Sequence, residues 1–205
     1  MQNKSNNSER RAEICKKAMD LFIEKGFAAT PLSEIARVSQ MSKANLYYYY
    51  PNKEQLLYEI HLNHLRENFI PLLDKTEQIA VPLERLRFFL RNFTLQCTTT
   101  KSAPVLVGEL RSLSRAHQNE ILTIWRRGYD MIRGAIKELQ TSRKAKEARL
   151  SFLTFLGAGM VFWTLHWWDY SRRDNADELA DLVTEVFLNG MLSADSKTNS
   201  KRKKE

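Results

Sequence analysis

Between Thr30 and Lys53 the chain reads TPLSEIARVSQMSKANLYYYYPNK, and this stretch leaves the fold little freedom. Thr30-Pro31 is a helix start, with threonine suited to the N-cap and proline to the first helical position, where its missing N–H is harmless. Ser42 offers a second cap soon afterwards. Pro51 stops whatever precedes it, because the residue before a proline is driven out of the α region. Asn52 then caps a fresh start at Lys53 and Glu54. Two short helices about a tight turn at Ser39–Met41, followed by a longer helix, satisfy all of these signals. The run Tyr47–Tyr50 closes the second short helix, and four successive tyrosines on a helix cannot all be buried.

The rest of the chain extends the helical reading. Only 7 Gly and 5 Pro in 205 residues give too little turn punctuation for a sandwich or barrel, so an all-α fold of about nine helices is expected. Ser8 is the expected N-cap of helix one, whose stripe Ile14, Ala18, Leu21 and Phe22 ends at Gly26. The helix begun at Lys53 should run to about Leu73. Later helices start at Pro82 and Pro104, a third carries Ile121, Trp125, Ile132 and Ile136, and the polar connector Ser142–Lys146 leads into the charge-poor segment Leu150–Trp168. Asp174 or Asn175 can cap a last helix ending near Asn189-Gly190. The expected organisation is a three-helix module over 8–54, a larger helical domain over 55–195 and a basic disordered tail over 196–205.

The spacing in the first module matches a helix-turn-helix, whose second helix enters the major groove of DNA. With Leu32, Ile35, Ala36 and Leu46 facing the core, Tyr50, four residues beyond Leu46, turns inward as well. Lys43, Ala44, Tyr47 and Tyr48 are left outward. Lys43 suits a guanine edge or a phosphate, Ala44 a thymine methyl, and Asn45 an adenine if it is turned far enough outward. Tyrosine hydroxyls and helix N-termini suit phosphate, and Thr30, Ser42 and Lys53 flank the same surface.

Over Arg11–Leu57 the chain resembles the DNA-binding domain of the tetracycline-repressor (TetR) family of bacterial regulators. The resemblance rests on Ile14, Ala18, Phe22, Gly26, Thr30, Ile35, Ala36, Ser42, Leu46, Tyr47, Tyr49, Lys53, Glu54 and Leu56, in register without gaps. Three positions depart from it: Ser39-Gln40 replaces the usual Ala-Gly, Met41 the usual Val, and Tyr50 the usual Phe. Gln40 implies a turn that tolerates a side chain or is locally strained, and the Tyr50 hydroxyl needs a partner. The resemblance implies backbone contacts for Thr30, Ser42, Tyr47, Tyr49 and Lys53, and base-proximal positions for Lys43, Ala44, Asn45 and Tyr48. It also implies a homodimer, paired through its last two helices, that reads a palindromic double-stranded operator and is released by a small effector.

The larger domain is similar, in Trp163, Trp167 and Trp168 and in Glu109–Leu113, to the branch of that family that responds to acyl-CoA thioesters. Trp163 and Trp167 read either as dimer or core packing or as the lining of an apolar effector pocket. Arg111, Arg115, Tyr129 and Arg133 are partners for an anionic ligand or ordinary surface residues. The chain carries a net charge of +8, and residues 197–205 hold five bases against one acid, a solvated tail or an auxiliary nucleic-acid contact. Cys15 and Cys97 fit reduced packing thiols, and the polar N-terminus argues against export, so a cytoplasmic protein is expected. Leu150–Trp168 approaches the length of a bilayer-spanning helix, but its single occurrence and its Ser151, Thr154 and His166 favour a helix buried on most sides. A membrane-associated helical protein and a bundle without DNA recognition are the alternatives. His61 and His64 form a lone HxxH with no further ligands, and no phosphate loop or nucleophile elbow occurs, so neither metal, cofactor nor enzymatic activity is expected.

Overall fold

The computed structural model describes residues 2–140, 147–171 and 175–202, with side chains over 7–140, 148–171 and 175–193. Every regular element among them is helical: α1 (Gln2–Lys25), α2 (Leu32–Val38), α3 (Lys43–Tyr49), α4 (Lys53–His64), a π turn (Leu65–Phe69), α5 (Ile70–Glu77), α6 (Pro82–Thr99), α7 (Ala103–Gly108), a 3-10 turn (Glu109–Ser112), α8 (Arg115–Leu139), α9 (Glu147–Trp167) and α10 (Ala176–Arg202). The all-α expectation holds. Residues 142–146 and the cap at Asp174 lie outside the described residues.

Three boundaries differ from expectation, each for a local reason. Helix α1 begins at Gln2 rather than at Ser8, since the preceding residues contain neither proline nor glycine to stop it. The single helix expected from Lys53 to about Leu73 is broken by the π turn. Pro71 follows it, and a proline ring clashes with the carbonyl four residues back, here that of Glu67, so a wider turn relieves the conflict. Helix α10 passes Asn189-Gly190 and continues to Arg202, so much of the tail expected to be disordered is helical. Gly26 shows why Gly190 does not stop its helix: Gly26 ends α1 at a left-handed φ of 85°, a conformation that Gly190 does not adopt.

The chain divides into two compact units. One comprises Met1–Glu67 and Ser102–Leu122. Its core joins Ile14, Ala18 and Phe22 of α1 to Ile35, Ala36, Leu46, Leu56 and Leu57, all essentially without exposed surface. Burying each of the Ile, Leu and Phe side chains stabilises the fold by about 1.5–3 kcal/mol. Glu54 fastens the later segment to α4: one carboxylate oxygen accepts from the Ser114 N–H at 2.6 Å and lies 2.7 Å from His117 Nδ1. His117 in turn stacks on Tyr58, with ring centroids 3.7 Å apart. The boundary expected at 54–55 falls inside α4, within this unit.

The other unit comprises Asn68–Lys101 and Thr123–Glu205. Phe69, Phe89 and Phe93 meet Trp125 and Phe162 in an aromatic cluster, with centroid separations of 4.4–6.2 Å. Two side chains complete the C-terminal end of α6, where carbonyls lack helical partners: Trp168 Nε1 donates to Thr98 O and the Tyr170 hydroxyl to Cys97 O, both at 2.8 Å. Helix α9 is, among the described residues, the one helix long and apolar enough to cross a membrane. It is not buried on most sides as expected. Phe152, Phe155, Leu156, Trp163 and Trp167 are exposed along it, and Leu182, Val186 and Leu192 along α10.

Candidate nucleic-acid interface

Helices α2 and α3 are joined by a turn in which the Ser39, Gln40 and Met41 amides donate back to the Ile35, Arg37 and Ala36 carbonyls, at 3.0–3.1 Å. Gln40 takes a left-handed φ of 55°, which glycine would adopt without steric cost, so the turn accepts a side chain at the expense of strain. Arg10 secures the turn from α1, one guanidinium N–H reaching Ser39 O at 2.8 Å. Beyond the turn Ser42 caps α3, its hydroxyl accepting from the Asn45 N–H at 3.1 Å.

The helical period then sorts α3 as expected. Leu46 and Tyr50 are fully buried, whereas Lys43, Ala44, Asn45, Tyr47 and Tyr48 face solvent, with 51% of Tyr47 and 79% of Tyr48 exposed. Tyr49 is half-buried and packs edge-on against Tyr48, ring centroids 5.5 Å apart. The outer side of a short helix therefore presents a cation, a methyl, an amide and two phenols together. The polar groups among these are able to hydrogen-bond base edges and phosphates.

Two expected contact residues prove to be occupied within the protein. Thr30 is fully buried and its hydroxyl donates to Gly26 O at 2.8 Å, so it is corrected from a phosphate contact to a fastening of the loop after α1. The N-cap of α2 is Pro31, without a side-chain bond. Lys53 donates to Phe27 O at 2.6 Å and Ala28 O at 3.2 Å and lies 4.3 Å from the centre of the Phe27 ring. Burial lowers its pKa, and its ammonium spends two of its three donors on the loop after α1.

The Tyr50 hydroxyl finds its partners in a half-buried group. It donates to Glu59 Oε1 at 2.8 Å, and the Cys15 sulfur lies 3.2 Å away. Because the single phenolic proton goes to the carboxylate, the thiol donates to the phenol oxygen. Arg11 joins Glu59 through Nε at 3.0 Å and through a second, shorter ion-pair contact, donates to Tyr49 O at 3.2 Å and lies 4.6 Å from the centre of the Tyr50 ring. The hydrogen bond to Glu59 raises the Arg11 pKa, while burial pushes the phenol far above its usual range and the Cys15 thiol up to about 11. Sequence reasoning missed Arg10, Arg11 and Glu59. Their only signal was position on α1 and α4, since their partners lie up to 48 residues away.

The six expected effector residues are divided between the two units. Arg111 and Arg115 are exposed and belong to the unit that carries α3, whereas Tyr129, Arg133, Trp163 and Trp167 belong to the other. Within that second unit Tyr129 packs against Phe155, and 67% of Trp163 and 54% of Trp167 are exposed on the surface of α9. The aromatic cluster around Phe93 and Trp125 is the interior feature that this reading passed over. Among the described residues no group of three or more His, Cys, Asp or Glu is placed to hold a metal.

Residues 14–60 match the family described as bacterial regulatory proteins, tetR family, and residues 80–191 match the tetracyclin repressor-like C-terminal domain. The chain is 30% identical over 195 residues to the HTH-type transcriptional regulator RutR of Escherichia coli K12, covering 89% of this chain and 84% of that protein. QacR of Staphylococcus aureus, also an HTH-type transcriptional regulator, is 41% identical over 88 residues, 43% of this chain and 45% of QacR. Among solved structures, AibR in complex with isovaleryl coenzyme A and operator DNA superposes with a TM-score of 0.77 at 27% identity, over 86% of this chain and 97% of AibR.

Proposed function

The chain belongs to the TetR family of bacterial regulatory proteins and is a DNA-binding transcriptional regulator, and on that footing we propose a cytoplasmic, dimeric, non-catalytic repressor released from a palindromic operator by a small amphipathic effector. The observation that carries the DNA reading is the division of α3, with Leu46 and Tyr50 buried and Lys43, Ala44, Asn45, Tyr47 and Tyr48 outward beside a capped N-terminus. Lys43, Ala44, Asn45 and Tyr48 contact bases; Ser42, Tyr47 and Tyr49 contact phosphates. Residues 8–54 carry the operator-reading function and 55–195 the effector and dimer functions. The partner copy covers the open face of α9 and α10, and an isologous pair of this kind sets its recognition helices one DNA turn, about 34 Å, apart. That use of the face also accounts for the charge-poor character of α9 without a bilayer.

An acyl-CoA thioester is the proposed effector class. The support is the likeness to AibR together with the interior aromatic cluster of Phe69, Phe89, Phe93, Trp125 and Phe162, which suits an acyl chain. The effector favours a conformation in which the two recognition helices no longer match successive grooves, and DNA affinity falls by the difference in its affinity for the two states.

Binding to duplexes selected from a random pool tests the reading. Tyr47→Ala should weaken all sequences alike, whereas Asn45→Ala should mainly change the preferred base at one position. Equal losses from both substitutions on selected and scrambled duplexes would remove this division of roles. Mass spectrometry of ligand released from freshly purified protein, followed by titration of isovaleryl-CoA into the protein–DNA complex, tests the effector class. Absence of any thioester and of any release would exclude it.

A further inference from the structure

A seven-residue helix has no stability of its own, so the direction in which α3 presents its outward residues is imposed by its anchors. At its start these are the turn to α2 and the buried Leu46. Its end is held differently, by directional bonds rather than by packing alone. The Tyr49 carbonyl accepts from Arg11, the Tyr50 ring lies beneath the same guanidinium, and the Tyr50 hydroxyl donates to Glu59, whose carboxylate is also paired with Arg11. One arginine of α1 and one glutamate of α4 thus grip both the backbone and the side chain at the end of α3.

We propose that Arg11, Tyr50 and Glu59 form a single positioning unit that sets the angle at which Lys43, Ala44, Asn45 and Tyr48 meet the base pairs. The proposal rests on the reading of α3 as the recognition helix. Apolar contacts tolerate small rotations of a side chain in its pocket, whereas a phenol bonded to a fixed carboxylate does not. Phenylalanine at position 50 fills the same space and keeps the cation–ring contact. Glu59 then remains paired with Arg11, so the module stays folded while the end of α3 loses its one hydroxyl constraint. A rotation of a few degrees there displaces the base-reading side chains but leaves flexible phosphate contacts largely intact. Sequence discrimination is therefore the property that this unit controls.

The test uses the full chain with a duplex selected in vitro on the wild type and a scrambled duplex of the same length and composition. Tyr50→Phe and Glu59→Gln should each lower the ratio of the two affinities by about tenfold, the loss of one hydrogen bond to a charged group. The slope of affinity against salt concentration should stay unchanged, because the number of phosphate contacts is the same. Combined, the two substitutions should lose little more than Glu59→Gln alone, since that change already weakens the bond that Tyr50→Phe removes, along with the Arg11 pair. Arg11→Lys, which keeps the charge but not the planar fork, should reproduce the defect. A folded Tyr50→Phe protein whose ratio stays within about twofold of wild type overturns the proposal, as do losses that add in the double variant. Should Glu59→Gln unfold, the Tyr50→Phe ratio decides alone. If Asn45→Ala also leaves the ratio unchanged, the recognition-helix reading itself fails, whereas an effective Asn45→Ala beside a silent Tyr50→Phe overturns only the positioning role.

Discussion

His61 is nearly fully buried in α4 and its Nδ1 has no hydrogen-bond partner, a costly state that is tolerable only for the neutral ring. Burial, with a smaller contribution from His64, lowers its pKa from 6.5 to about 4. The unfolded chain therefore binds a proton near pH 6.5 that the folded chain refuses until about pH 4. Stability is complete above pH 6.5 and falls as the pH drops through that window, by up to about 3 kcal/mol from this residue. Urea midpoints measured across that range should show the decline, and His61→Leu should flatten it. The HxxH spacing was legible in the sequence; that the first histidine would be a buried neutral ring was not, because burial is decided by which helices pack on α4. The Tyr50 hydroxyl illustrates the same limit. Its inward direction follows from the helical period, but Glu59, Cys15 and Arg11 become its neighbours only through tertiary packing.

Short helices with strong terminal signals, α2 and α3, were readable to within a residue or two, since Pro31, Ser42, Pro51 and Asn52 act locally. The π turn between α4 and α5 was not, although Pro71 is its evident cause, because a proline in a helical pattern also permits a simple kink. Close helix approach was likewise invisible. Gly128 of α8 sits so near α5 and the π turn that a Cβ built there would lie 2.9 Å from Phe69 Cζ and 3.3 Å from Leu73 Cδ2. Alanine would recover about 1 kcal/mol of helix propensity against this clash, but Gly128→Val adds two further carbons and gains less from propensity. It should destabilise the chain by about 2 kcal/mol, measurable by denaturant titration, because Phe69 is held by Phe89, Phe93 and Trp125 and has little room to yield.

For the molecule as a whole, the exposed row on α9 and α10 is the feature that a solitary soluble chain would avoid, since large contiguous apolar patches mark association surfaces. Trp163→Glu and Leu182→Glu should each convert a dimer to a monomer by light scattering after size exclusion. Helical circular dichroism should persist, with affinity for a palindromic duplex lost more than affinity for a half-site. A dimer unchanged by both charges would place the association surface elsewhere. The two compact units also each contain one cysteine: Cys15 lies in the unit with α3, Cys97 in the other, and both are buried and free. Burial raises their pKa values to about 11 and about 12, so at neutral pH neither offers appreciable thiolate to a reagent until its surroundings open. The chain thus contains two silent clocks. The rate at which each sulfur is alkylated in native buffer times the opening of its own unit, and mass spectrometry of the two peptides reads both from one sample without any engineered probe.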